Sequence, residues 1–401
     1  MKVVTGGITA VTGVLAAGMA AGIKKGEALD LALIVSEREA TVAGVFTTNK
    51  VVAPPLIWDR QQLRRGKGRA IIVNSGNANA CTGRRGYDDA VTMAALTARA
   101  LGVPREDVYV GSTGVIGKPL PMEKIEAAIP LLAARLHRHG GEDAARAIMT
   151  TDTTVKTAAV SDSIGGRTVT VGGIAKGSGM IHPNMATMLA YLATDAQVPR
   201  TVLQRGLRQA TERSFNRIPV DGDTSTNDMV LCMANGMAGN RPFKPGSADA
   251  RRFQSLLDHV CLDLAKKVAW DGEGATKFVE LRVKGARTQA DALRAAITIA
   301  TSSLVKTAWF GEDANWGRTM AALGRSGARI AEDRIAIMVG PVQIVRRGMG
   351  LGPDAEEQAN AVMKSREFTV TINLGMGHAD ATVWTTDLTM DYIKINASYR
   401  S

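Results

Sequence analysis

The chain has 401 residues, more than one hydrophobic core usually organises, so two lobes or domains are expected. Its 45% hydrophobic and 22% charged content are ordinary globular values. The net charge of +11 is scattered, and its densest basic stretch, Arg60 to Arg69, carries no interleaved aromatics for base stacking, which argues against nucleic-acid binding. A basic surface of this kind keeps a protein soluble and attracts anionic substrates.

Between Lys2 and Lys24 there is no charged residue. Five glycines and three threonines interrupt this stretch and no compact Leu-rich run forms, so it reads as a buried strand–turn segment rather than an export signal or a membrane helix. Short β-branched runs then end in Asn or Gly: Ala70 to Val73 before Asn74, and Val108 to Val110 before Gly111. They predict buried strands that deliver loops at their ends. Apolar spacing near 3.6 predicts helices over Asp88 to Leu101, Val202 to Phe215 and Phe253 to Val268. The segment from 241 to 250 is the best surface linker. Asn315 is placed to cap a helix running to Gly324, and Pro353 to open one ending near Lys364. Alternation predicts two final strands, Glu367 to Leu374 and Ala379 to Thr386.

No dinucleotide or P-loop glycine motif occurs. The three cysteines, Cys81, Cys232 and Cys261, are far apart and form neither a disulfide framework nor a metal pair, which fits a reducing cytoplasm. His137 and His139 sit among arginines and read as a solvated face.

The densest unusual stretch runs from Lys176 to Asp195. A Gly-rich loop containing Pro183 enters a strand-like segment near Thr187. Spacing alone reads as an ordinary turn into a buried strand. A chemical reading is also open. A strained turn that presses Thr187 Oγ onto the Ala186 carbonyl allows an N-to-O acyl shift, and water then opens the ester. The freed α-amine has a reference pKa of about 8 and sits beside the hydroxyl it must deprotonate. His182 reads as a structural loop histidine.

This stretch resembles the self-processing site of the ornithine acetyltransferase (ArgJ) family. Blocks along nearly the whole chain share the resemblance: 44–49, 74–83, 111–117, 221–228, 271–277 and 391–396. The resemblance implies a mixed α/β fold of layered αββα type, like that of N-terminal-nucleophile enzymes, with a second α/β lobe. It implies self-cleavage into interleaved chains, 1–186 and 187–401, assembled as a heterotetramer of two of each. It makes Thr187 the nucleophile and Thr113 and Gly114 the oxyanion donors. Thr153, Lys176, Thr187, Glu273, Asn396 and Ser401 become substrate-binding residues. The implied reaction is ping-pong transfer of an acetyl group from N2-acetylornithine to glutamate in arginine biosynthesis. No metal or bound organic cofactor is implied, and acetyl-CoA is left open as a second acetyl donor.

Lysine suits a substrate carboxylate and glutamate an ammonium. On spacing alone, Lys176 reads equally as a solvated loop charge, and Glu273 as a salt bridge or helix end. Two rivals stand beside this reading. A self-cleaving aminopeptidase or amidohydrolase would release acyl groups to water. A basic binding protein would remain one chain.

Overall fold

The computed structural model describes residues 1–182 and 188–398. Its first sheet holds β1 (Lys2–Val3), β2 (Val14–Met19), β3 (Leu31–Phe46), β4 (Lys67–Asn77), β5 (Val108–Val115), β6 (Lys156–Ile164), β7 (Arg167–Lys176), β8 (Leu189–Thr194) and β9 (Met229–Ala234). The strand order is β1-β6-β7-β8-β9-β3-β4-β5, with β2 also paired to β3. The long strand β3 joins two halves of the sheet. Leu31 to Val35 pair with both β2 and β4, the register shifts between Val35 and Ala40, and Thr41 to Phe46 pair with β9.

Side chains on successive strand residues point to opposite faces, so the two halves build three cores. Leu31, Leu33 and Val35 join Ala70 and Ile72 in a core beneath α1 (Pro54–Gln62), α2 (Gly83–Leu101) and α3 (Met122–Ala134). Their neighbours Ala32, Ile34, Ile71 and Val73 face Leu189, Tyr191, Met229 and Leu231 across the gap between the halves. Ala190, Leu192, Val230 and Cys232 point the other way, onto α5 (Arg200–Arg213) and α6 (Ala248–Trp270). The order is helix, sheet, sheet, helix. The short α4 (Gly141–Ala147) contributes Ala144 and Ala145 to the middle core.

A second lobe follows. Its sheet runs β13 (Met349–Gly350), β12 (Val342–Arg346), β11 (Ala336–Val339), β14 (Glu367–Asn373), β10 (Phe278–Ala286), β15 (Ala379–Thr386). A separate core forms against α7 (Gln289–Ala300), α8 (Ser303–Phe310), α9 (Trp316–Gly324) and α10 (Pro353–Met363). Phe278 and Trp384 leave that core and pack with Val268 and Ala269 of α6, so the two lobes share apolar contacts. The last described element is α11 (Met390–Ser398), which buries no residue.

The uncharged N-terminal stretch forms β1, a 3-10 turn and the buried β2, as expected. The strands expected at 70–73 and 108–110 lie within β4 and β5. Asn315 accepts the Arg318 N–H and caps α9. The helix expected at 88–101 begins earlier, at Gly83. The one expected to reach Phe215 stops at Arg213, because Ser214 leaves helical φ/ψ and its hydroxyl donates back to the Ala210 carbonyl. The segment from 241 to 250 links β9 to α6 within the first lobe and runs into the first turn of that helix. Phe243 is buried, and Ser247 caps α6 by accepting the Ala250 N–H. The crossing to the second lobe comes at 271–277, after α6.

Lys306 of α8 is buried at the junction. Its ammonium donates to the carbonyl and hydroxyl oxygens of Thr386 and to Thr385 Oγ1. Burial pushes its pKa down to about 7, against the pull of Asp387 and Asp221. An unfolded lysine keeps its proton to near 10.5. The unfolded chain therefore binds more protons between about pH 7 and 10.5, and Lys306 makes stability rise with pH across that window. Lys306→Met should flatten the rise of Tm between pH 7 and 10 in scanning calorimetry. An unaltered slope would show that the buried ammonium does not control it.

Candidate active site

Strand β5 carries Ser112, Thr113 and Gly114 to the edge of a small cleft. Gly114 has φ +130, a region L side chains rarely adopt. A Cβ there would stand 2.4 Å from the Gly76 carbonyl carbon on β4, so only glycine lets the two parallel strands run together at this point. Behind them, the Asn227 amide donates to the carbonyls of Ala78 (2.6 Å) and Ser112 (2.8 Å) and fixes both strand ends.

The opposite wall comes from the end of β7. Lys176 is 4% exposed, and its Nζ donates to Thr150 Oγ1 at 2.7 Å and Thr113 Oγ1 at 3.4 Å. Beyond it the chain turns through Gly177 to Ile181. Asp221 holds this turn by accepting the N–H groups of Met180 (2.6 Å) and Ile181 (2.8 Å). Glu273 arrives from the segment after α6, with its N–H donating to the Ser178 carbonyl at 2.9 Å. A Cβ on Gly179 would lie 2.3 Å from the Glu273 carboxylate, so glycine makes room for that approach. Asn396 of α11 donates to Glu273 Oε2 at 2.9 Å.

Thr113, Gly114, Lys176, Glu273 and Asn396 thus line one cleft of about 80 Å³. Thr153 is placed differently. Its N–H donates to Asp271 at 2.9 Å and its hydroxyl bonds the same carboxylate, while Thr150 and Thr151 supply the cleft wall. Ala186, Thr187 and Ser401 lie outside the described residues. Gly179 and Met180 of the turn line the cleft; the described chain runs to His182 and resumes at Met188, whose carbonyl accepts the Met229 N–H at the start of β9. His182 is half-buried, burial lowers its pKa, and its Nδ1 has no hydrogen-bond partner among the described residues. A roomier groove between α5 and α6, about 490 Å³, contains none of these groups. No cluster of ligands suited to a metal ion occurs among the described residues.

The charges beneath the cleft were not legible in the sequence. Asp152, Lys156 and Asp271 are buried there, with Lys156 donating to both carboxylates at 2.7 and 2.6 Å. Asp152 and Lys156 stand four residues apart, a spacing shared with any solvated surface pair. Burial alone would raise the Asp152 pKa, but Lys176, Lys156 and the Gly177 N–H hold it at about 2. Burial lowers the pKa of Lys176, and Asp152 opposes that fall. The result is a cleft lined by a buried lysine, a carboxylate, and hydroxyl and backbone donors.

A model of the ArgJ family matches residues 15–401. The arginine biosynthesis bifunctional protein ArgJ of Symbiobacterium thermophilum is 53% identical over 403 residues, covering 100% of both chains. The chain belongs to the ArgJ family. The protein of the same name from Geobacter sulfurreducens is also 53% identical, over 95% of this chain and 97% of its own. A solved structure of ornithine acetyltransferase complexed with ornithine, from Mycobacterium tuberculosis, is 41% identical. It covers 47% of this chain and 98% of its own, with a TM-score of 0.42.

The strand contact at Gly114 can be tested without an assay of activity. Gly114→Ala should lower stability by about 2 kcal/mol or more, through backbone strain and overpacking. Gly324→Ala is the control, since nothing lies within 4 Å of a Cβ there. Equal melting temperatures for the two variants would refute the close approach of β4 and β5.

Proposed function

We propose that this chain is a self-processing glutamate N-acetyltransferase that takes its acetyl group from N2-acetylornithine through an acetyl-Thr187 ester. One observation carries the reading: Thr113, Gly114, Lys176, Glu273 and Asn396, distant in sequence, meet in one cleft. The turn that ends at His182, just before Ala186 and Thr187, forms part of its wall. Family membership supports the same reaction.

In the processing step Thr187 Oγ attacks the Ala186 carbonyl, the C–N bond breaks, and water hydrolyses the resulting ester. Thr187 is left with a free α-amine. In the first half of transfer that amine accepts the hydroxyl proton as Oγ attacks the acetyl carbonyl of N2-acetylornithine. Thr113 and the Gly114 N–H stabilise the oxyanion. The C–N bond breaks, and the proton goes to the leaving α-amine of ornithine. In the second half the glutamate amine attacks the ester, and Oγ regains its proton as N-acetylglutamate leaves.

Lys176 binds the substrate α-carboxylate, and Glu273 with Asn396 binds the ammonium of the ornithine side chain. Thr153 acts through Asp271, and Ser401 is the remaining substrate-binding residue. No step needs a metal or an organic cofactor. Acetyl-CoA would enter as an alternative acetyl donor to the same hydroxyl. The pieces 1–186 and 187–401 stay associated, since β7 and β8 pair across the cut, and two of each form the assembly in the cytoplasm. Among the described residues no helix is long and apolar enough to cross a membrane.

Denatured wild-type protein should give two masses, 1–186 and 187–401, and Thr187→Ala a single one. An active enzyme that stays full-length when denatured would end this reading. Product analysis separates transfer from hydrolysis: N-acetylglutamate must form from N2-acetylornithine and glutamate, and free acetate without glutamate acceptance would favour the amidohydrolase. Thr113→Ala should lower kcat about 100- to 1,000-fold where its hydroxyl donates to the oxyanion. Deleting Ala397 to Ser401 should spare processing and raise KM for N2-acetylornithine. Unchanged kinetics would make the terminus a bystander.

A further inference from the structure

The wall that carries Lys176 is built on a buried carboxylate to which no role in the reaction has been given. Both oxygens of Asp152 are engaged. Oδ1 accepts the Lys156 ammonium at 2.7 Å and the Gly177 N–H at 2.6 Å. Oδ2 accepts the Thr150 N–H at 3.0 Å and lies 3.9 Å from Lys176 Nζ. Its side chain is fully buried, as is that of Lys156. Lys156 also donates to Asp271 at 2.6 Å and to the Thr154 carbonyl at 3.2 Å. Asp271 in turn accepts the N–H groups of Thr153 and Thr154 and stands two residues before Glu273. One ammonium thus ties together the segment of Thr150 and Thr151, the Lys176–Gly177 corner and the approach to Glu273.

We propose that Asp152 is a positioning residue for substrate binding: braced by Lys156, it fixes the Lys176–Gly177 corner and keeps the Lys176 ammonium charged towards the cleft. The geometry explains why this group is needed. A lysine buried in the wall of a cleft tends to shed its proton, and a neutral amine would not bind a carboxylate. Asp152 opposes that tendency from below while leaving the upper side of the ammonium to the cleft. The charges facing Lys176 are Asp152 and Lys156, Asp228 ahead of β9, Glu273 after α6, and Lys24 from the loop after β2. Lys156 acts on Lys176 with the opposite sign to Asp152, because it is a like charge.

The test follows the protonation of Lys176 directly. The whole protein, with residues 1–186 and 187–401 both present, is trace-labelled with acetic anhydride across a pH series, and the Lys176 peptide is read by mass spectrometry. Asp152→Asn should move the labelling midpoint of Lys176 down by about one pH unit or more, as expected on losing an adjacent opposite charge. Lys156→Gln should move it up. General loosening of the site would shift both variants the same way, and that result, or no shift in either, overturns the proposal. If one variant does not fold, the sign of the other's shift decides. If neither folds, the pair is a structural brace and the positioning role is withdrawn. In kinetics, Asp152→Asn should raise KM for N2-acetylornithine more than it lowers kcat, with partial rescue by Asp152→Glu. The proposal rests on the acetyl-transfer reading for the substrate but not for the labelling. Opposite shifts in an enzyme that transfers no acetyl group would leave the positioning of Lys176 standing and remove the assigned reaction.

Discussion

Strand β3 has to satisfy two layers at once. Its first residues lie in the half of the sheet covered by α1 to α3, and its last residues pair with β9 in the half covered by α5 and α6. The register shift between Val35 and Ala40 accommodates this change of partner, and the charged Glu37, Arg38 and Glu39 are exposed there. A continuous strand with both faces buried on each side of a bend is a severe constraint. It explains why glycine and alanine are common where the layers meet, and why Tyr109 and Tyr191, the largest fully buried side chains among the described residues, fill the space that remains. The parallel pair of β4 and β5 hangs from the same strand, and with it the position of Thr113 and Gly114.

The polar interior has a different logic. The side chains of Asp152, Lys156, Asp271 and Lys176 are removed from water among threonines and backbone donors. Desolvation offsets much of the attraction in such a group, so it is a poor source of stability. What it supplies is geometry. Each oxygen and ammonium has partners from another segment, and those segments are the ones that carry cleft residues. Breaking a single partner leaves a buried charge without compensation, which makes the arrangement sensitive to substitution. Lys306 shows the contrasting case: a buried lysine whose nearest partners are a carbonyl and two hydroxyls, held near neutrality rather than in an ion pair.

The cleft also joins the two lobes. Lys176 and Thr113 belong to the first sheet, Glu273 lies on the crossing between lobes, and Asn396 belongs to a helix that buries nothing. α11 is held by polar contacts: Thr389 donates to the Gly274 carbonyl at 2.7 Å, and Asn396 reaches Glu273. A terminal helix of this kind keeps its place through the site rather than through a core.

The sequence by itself determined the elements whose pattern is local. Short β-branched runs marked β4 and β5, period-two alternation marked β14 and β15, period-3.6 runs marked α2, α5 and α6, and Asn315 and Pro353 marked helix starts. It also determined the family, because ordered motif blocks along the chain are more specific than any one of them. Thr113, Gly114, Lys176, Glu273 and Asn396 were legible through that likeness and not through spacing. Only the tertiary structure decided that β3 serves two layers, since its residues 31 to 35 are buried on both faces and show no alternation. Only it separated Thr153, which turns to Asp271, from Thr150 and Thr151, which face the cleft. Asp152 and Lys156 carry no sequence signal at all. A pair four residues apart reads the same in water as in a core, and burial, which a linear pattern does not encode, makes the difference.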